Sequence, residues 1–198
     1  SAYLKIAEGC DNKCAYCAIP SIRGPFRSRK IDELVYEAKQ IAANGVKEIV
    51  LVAQDTTRYG KDLNEDGNSM LAELVREIEK IDGIVWIRLL YMYPDEITED
   101  VFMILRDCKK VVPYIDLPLQ HVNDEVLSAM NRRGSGELIR NTIKRFRKEI
   151  PDCVIRTSFL TGFPGETEEA HIELLDFIKE MRLDRVGVFQ YSKEEDTE

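Results

Sequence analysis

Tyr3-Leu4-Lys5-Ile6-Ala7-Glu8-Gly9-Cys10-Asp11-Asn12-Lys13-Cys14-Ala15-Tyr16-Cys17 opens the chain with a short apolar run and follows it with three thiols inside eight residues. Tyr3 to Ala7 reads as a β-strand, which puts the cysteines on the loop at its carboxyl end. Five more runs of the same kind follow: Glu48 to Ala53, Val85 to Tyr91, Tyr114 to Leu119, Val154 to Thr161 and Val186 to Tyr191. Between them lie helical patterns. One stripe runs through Ile31, Leu34, Val35, Ala38, Ile41 and Ala42, another through Ile172, Leu175, Ile178 and Met181, and both are expected to pack on a sheet. Further helices are predicted over Met70 to Ile81, Glu99 to Cys108, Asp124 to Met130 and Glu137 to Glu149, with Thr98 and Asn123 as N-caps. Strands joined through helices pair in parallel, because a parallel connection needs a crossover of that length. Six such repeats fall short of a closed eight-fold barrel. An open six-stranded α/β barrel or a doubly wound sheet remains, and both bind ligands at the carboxyl ends of their strands.

At 198 residues, 44% hydrophobic and 32% charged, the chain has the balance of a globular protein and reads as one domain with strand-helix repeats from about residue 2 to 191 and a tail over 192–198. Its first residues lack a signal peptide's charged start and apolar block, and no apolar run reaches the roughly 18 residues that span a bilayer. A cytoplasmic location without a membrane partner is therefore expected, and the chain looks like an internal fragment. Lys and Arg total 28 against 36 Asp and Glu, a net charge of −8. That is the wrong sign for gripping phosphate backbones unaided, so a basic partner is expected rather than direct nucleic-acid binding. Five cysteines, an odd number with three clustered, point to reduced thiols with a metal rather than to a disulfide framework.

Thiolates at C-x3-C-x2-C spacing can converge on one metal centre, and soft sulfur ligands favour zinc or iron-sulfur clusters. Structural zinc normally closes its tetrahedron with protein groups. Cys108 and Cys153 precede the fourth and fifth strands, at the rim opposite the triad, and read as buried thiols. His121 follows the fourth strand, at the correct end, and stays open as a fourth ligand. Without one, the three cysteines leave a cluster with an open iron; a zinc-binding module without catalysis is the competing reading.

This spacing, with aromatic Tyr16 just before the last cysteine, resembles the signature of the radical S-adenosylmethionine (SAM) superfamily. The resemblance implies a partial six-fold (β/α) barrel, a parallel open sheet with outer helices. It also implies a 4Fe-4S cluster on Cys10, Cys14 and Cys17 whose unique iron binds the amino and carboxylate groups of SAM. Cluster reduction then cleaves SAM to methionine and a 5′-deoxyadenosyl radical, which abstracts hydrogen. On the same resemblance Gln54, Asp55 and Thr56 accept from the SAM amino nitrogen, although Asp and Thr at a strand end are equally turn residues. Thr161-Gly162-Phe163-Pro164-Gly165-Glu166-Thr167 lies beside the adenosyl part of SAM, or is a tight strand-to-helix turn with two glycines.

Strict alternation places Arg88 with Trp86 and Leu90, Asp116 with Tyr114 and Gln120, and Arg156 with Ser158, opposite the helix-packing faces Ile87/Leu89, Ile115/Leu117 and Ile155/Phe159. A buried charge needs a partner, so Asp116 is expected to bridge both arginines; alternatively one arginine reaches the SAM carboxylate. Arg23, Gly24, Arg27, Ser28 and Arg29 form a basic stretch after the cysteines, and Tyr91-Met92-Tyr93-Pro94 offers aromatic lining. The candidate cofactor-binding set is Tyr16, Gln54, Asp55, Thr56, Gln120, His121, Arg156, Ser158, Gly162 and Phe163. The metal set is Cys10, Cys14 and Cys17.

Gly9-Cys10 to Cys17, Arg23-Gly24, Ser28-Arg29, Pro118-Leu119-Gln120-His121 and Gly162 to Thr167 together look like the methylthiotransferases over essentially the whole chain. Gln54-Asp55-Thr56 and Tyr91-Met92-Tyr93-Pro94-Asp95 resemble the branch that modifies the β-carbon of an aspartate in a small-subunit ribosomal protein, a basic partner. A tRNA adenosine methylthiotransferase is the alternative. The resemblance further implies an electron donor such as flavodoxin or ferredoxin. It also implies an amino-terminal domain with a second 4Fe-4S cluster and a carboxy-terminal module, both outside this chain. The fragment alone is then expected not to complete methylthiolation.

Overall fold

The structure is a computed structural model that describes residues 1–195 and 197. Its strands are β1 (Ala2–Lys5), β2 (Ala7–Glu8), β3 (Arg27–Ser28), β4 (Glu48–Val52), β5 (Trp86–Leu89), β6 (Tyr114–Gln120), β7 (Val154–Thr161) and β8 (Arg185–Gln190). The helices are α1 (Ile19–Arg23), α2 (Ile31–Ala43), α3 (Leu71–Glu79), α4 (Glu99–Asp107), α5 (Asp124–Ala129), α6 (Gly136–Glu149) and α7 (Glu168–Met181). Within the predicted tail, residues 196 and 198 lie outside the described residues.

All six predicted long strands form, and they pair in parallel in the orders β1-β4-β5 and β6-β7-β8. A single bridge from Ile87 to Val111 and the Met92 N–H on the Asp116 carbonyl at 3.0 Å join the two halves. The result is an open α/β barrel whose strands follow chain order, with its helices outside. Apolar residues on the outward strand faces meet those helices: Ile87, Leu89, Ile115, Leu117, Ile155 and Phe159 are all buried, against Leu34, Leu74, Ile78, Ile104, Phe146 and Phe177. Burying an aliphatic or aromatic side chain contributes about 1.5–3 kcal/mol, so this layer supplies the main driving force for closure. No helix among the described residues is long and apolar enough to cross a membrane.

Local chemistry sets the element ends. Thr98 accepts from the Val101 N–H, and the Asn123 side chain accepts from Glu125 and Val126 at 3.1 Å, as predicted for N-caps. One element is added and two expectations change. The antiparallel ribbon β2–β3 absorbs Arg27 and Ser28 of the basic stretch, and helix α1 lies just ahead of it. The buried face of α7 is Ala170, Leu174, Phe177 and Met181, leaving Ile172 and Leu175 exposed. The Phe159–Phe177 edge contact at 6.2 Å, with the larger ring inward, fixes that rotation. Lastly, Asp116 takes only one arginine.

Candidate functional site

Gly9 starts the cysteine loop at φ 83°, and a Cβ there would collide with the Pro25 and Gly24 carbonyls. From that close approach the Cys10 N–H reaches the Gly24 carbonyl at 3.1 Å, and Asp11 accepts from the Phe26 N–H at 3.0 Å. The turn after α5 holds the other side. The Met130 carbonyl accepts from Ala15 at 2.9 Å, and the Asn131 side-chain amide donates to the Lys13 carbonyl at 2.7 Å. Fixed at both ends, the loop turns Cys10, Cys14 and Cys17 onto one cavity of about 530 Å³ at the carboxyl rim of the barrel.

Tyr16, Gln54, Gln120, Arg156 and Ser158, from four different strands or loops, line the same cavity. The rest of the candidate set stands behind this wall. Asp55 is buried and accepts from the Thr57 N–H at 3.1 Å and from the Thr57 hydroxyl, which in turn accepts from the Tyr93 N–H at 3.3 Å. Thr56 donates its hydroxyl to the Leu90 carbonyl at 2.8 Å and its N–H to the Tyr91 carbonyl at 3.0 Å. Both residues therefore brace the segment 90–93 instead of touching the cavity. Burial pushes the Asp55 carboxyl up to about 6 against the opposing Thr57 bond.

Gly162 and Phe163 do not line the cavity either. Phe163 packs edge-on to Tyr16 at 6.5 Å and to Tyr191 at 5.1 Å, locking the cysteine loop to the end of β7. Gly162 donates its N–H to Glu166, which also meets His171 at 3.1 Å and His121 at 3.4 Å. His121 is thus a buried framework residue; burial lowers its proton affinity, and the Glu166 carboxylate only partly offsets this.

Asp116 is buried and accepts from the Arg156 guanidinium at 2.5 Å and from the Tyr91 N–H at 2.9 Å. Arg88 was expected there too, but it pairs with Glu48 at 2.7 Å and stacks over the Tyr114 ring at 4.7 Å. Register explains the split. Asp116 stands opposite Arg156 in the β6–β7 ladder, whereas β5 and β6 form no ladder and the isolated Ile87–Val111 bridge falls ahead of β6, and Glu48 lies on β4, the strand paired with Arg88's β5.

Two strained residues shape the rim. Tyr91 at φ 60° and Gln120 at φ 72° occupy the left-handed region, which costs a non-glycine residue about 1–3 kcal/mol, and both line the cavity. Pro118, with no N–H to give, coincides with a register shift in β6 between Leu117 and Gln120. The Thr157 hydroxyl accepts the displaced Leu119 N–H at 3.3 Å.

Sequence reasoning missed Arg132, which lines the cavity and is buried beside Cys14 and Tyr93. It also missed Asn12 and Phe189 as lining. Burial raises the Cys10 and Cys17 thiols, opposed by N–H groups of Asn12 and Ile19. Cys108 and Cys153 line no part of the cavity and precede β6 and β7 at the far rim. No group of three or more His, Cys, Asp or Glu among the described residues is gathered as a single ion requires. The donor set instead suits something larger: three sulfurs around an open volume, with Gln54 Oε1 and Asn12 Nδ2 buried and unpartnered at its wall.

A family profile for the Radical SAM superfamily matches residues 4–178. The chain belongs to that superfamily. Among curated proteins it is similar to the ribosomal protein uS12 methylthiotransferase RimO of Acetivibrio thermocellus, at 55% identity over 99% of this chain and 43% of that protein. It is also similar to the protein of the same name from Geotalea uraniireducens, at 55% over 100% of this chain and 44% of that protein. The chain thus spans less than half the length of these relatives. Among solved structures it resembles the radical S-adenosylmethionine methyltransferase TsrM from Kitasatospora setae, with cobalamin and a 4Fe-4S cluster bound (TM-score 0.74, 17% identity, 96% of this chain and 36% of that one). It resembles coproporphyrinogen III oxidase (HemN) from Escherichia coli as well (TM-score 0.66, 24% identity, 96% and 43%). At those identities the likeness to these two structures is one of fold.

Proposed function

We propose that this chain is the radical SAM core of a methylthiotransferase that acts on an aspartate β-carbon of a small-subunit ribosomal protein. The observation that carries this reading is 55% identity across essentially the whole chain to the uS12 methylthiotransferase, in a barrel that turns three cysteines onto one cavity. Cys10, Cys14 and Cys17 hold a 4Fe-4S cluster, which when bound and reduced supplies the electron that breaks a carbon–sulfur bond of SAM.

The chain's own groups bind and orient the substrate sulfonium. Gln54 Oε1, buried without a partner, accepts from the SAM ammonium. Arg156, held by Asp116 and partly open to the cavity, takes the carboxylate. Ser158 and Gln120 meet the ribose, and the rings of Tyr91 and Phe189 flank the base. Asp55, Thr56, His121, Gly162 and Phe163 position these groups from behind.

The second 4Fe-4S cluster belongs to an amino-terminal domain beyond this chain, the sulfur comes from outside this chain, and a flavodoxin or ferredoxin delivers the electron. The net charge of −8 favours a basic protein over a nucleic acid as the direct partner. Anaerobic reconstitution tests the core: about four iron per chain with broad visible absorption is expected, and stoichiometric zinc without iron overturns it. Offering the full-length enzyme both the ribosomal protein and tRNA tests the substrate, with methylthiolation of tRNA alone as the refuting result.

A further inference from the structure

Arg132 is only 8% exposed, and its Nη1 lies 3.8 Å from Cys14 Sγ and 3.4 Å from the Tyr16 hydroxyl. Its Nη2 donates to the Pro118 carbonyl, and the guanidinium stacks 4.1 Å over the Tyr93 ring. None of the ion pairs among the described residues includes it, whereas the adjacent Arg133 reaches Asp95 at 3.3 Å and Glu96 at 2.8 Å. A buried cation left without an anion costs several kcal/mol. The position is therefore built for a negative charge that no side-chain carboxylate supplies.

The surroundings say where that charge sits. Pro118 breaks the β6–β7 register, and its carbonyl is left to accept from Arg132, which fixes the guanidinium plane. Cys14 meets the Arg132 guanidinium, beside the Tyr16 ring. Among the described residues it is the one sulfur of the triad whose hydrogen bond comes from a full positive charge.

We propose that Arg132 is a positioning residue that holds the Cys14 sulfur by a charge-assisted N–H···S bond and raises the reduction potential of the cluster on the triad. The proposal rests on the cluster reading above. A fixed positive charge close to a sulfur ligand stabilises the form carrying the extra electron, and hydrogen bonds to sulfur act in the same direction. The same contact ties the cysteine loop to the turn after α5, so one side chain couples loop geometry to cluster energetics.

The test is a potentiometric titration of the anaerobically reconstituted chain, reading the reduced cluster by electron paramagnetic resonance. In Arg132→Met the reduced-to-oxidised ratio at fixed poise is expected to drop at least about tenfold, or about 59 mV for a one-electron couple. Arg132→Lys, which keeps the charge without the planar fork, is expected to fall between Met and wild type. A Met variant with full iron and the wild-type potential overturns the proposal. Should the Met variant fail to retain iron, the Lys variant decides: a lowered midpoint supports the role, an unchanged one overturns it. Wild-type chain that takes up no iron defeats the cluster reading itself, which iron analysis detects before any titration.

Discussion

Gly9 sits at φ 83° with the Pro25 carbonyl where a side chain would go, so the Cys10 thiol can reach the cavity only while residue 9 lacks a Cβ. Gly9→Ala costs about 1–2 kcal/mol from the left-handed backbone alone, and more from the collision. The expected outcome is iron uptake at least severalfold below wild type, with the far-ultraviolet circular dichroism kept; full uptake would remove Gly9 from the account. Asp55 gives a second residue-level prediction. Its carboxyl lies at about 6 in the folded chain against 3.8 unfolded, so the folded state binds the proton more tightly. Its contribution is fully present below 3.8 and is lost as pH rises through about 6, a loss of about 3 kcal/mol. Asp55→Asn, whose amide oxygen still accepts from Thr57, is expected to be the more stable protein at pH 7 and to match wild type near pH 4. Urea midpoints across that range check it, and a gap that widens toward acid rejects it. At this scale the sequence identified the thiols by spacing, Gln54 and Gln120 by their place at strand ends, and Arg156 and Ser158 by the alternation that turns them inward. Arg132 escaped because it arrives from the turn after a helix, where no strand-end rule points. Asp55 and Thr56 were legible as turn residues, and their structural bonds to Thr57 and Leu90 bear out that reading.

Between β7 and α7 the loop 161–167 is held by one carboxylate. Burial pushes Glu166 up, but the Gly162 N–H and both histidines outweigh it and hold it below the usual carboxylate range. Its contribution is therefore present at neutral pH and lost as acid protonates it. Glu166→Ala removes the bond from the Gly162 N–H, and because that N–H is exposed and water can take the carboxylate's place, the loss is about 0.5–1.5 kcal/mol. Amide exchange at Gly162 and Phe163 is expected to accelerate in that variant while the β4 amides keep their protection; unchanged exchange in the loop would sink the idea. The strands and most helix ends were readable because periodicity, Thr98 and Asn123 each state them locally. The rotation of α7 was not, since Ile172 and Leu175 make as good a stripe as Leu174 and Phe177 until the Phe159 ring is in place. Ribbon β2–β3, of two residues per strand, is likewise below what alternation can signal.

For the molecule as a whole, the two three-stranded halves close around a cavity whose charged lining is Arg132 and Arg156, while the complete chain carries −8. In the function proposed above, charge of opposite sign inside and out separates two tasks: the cavity takes the anionic end of a small molecule, and the acidic exterior favours a basic macromolecule. These respond differently to salt. Surface steering is screened once the Debye length shrinks from about 8 Å at physiological ionic strength to about 3 Å at 1 M, whereas a partly buried contact such as Arg156 to a carboxylate is screened far less. Association of the chain with a basic ribosomal protein is therefore expected to slow steeply with added salt, while SAM affinity of the iron-loaded chain changes little. Stopped-flow association rates and equilibrium dialysis across one salt series separate the two. If the association rate is indifferent to salt, the acidic exterior has no part in choosing the partner, and recognition must then come from shape at the cavity mouth or from parts of the longer relatives that this chain does not contain.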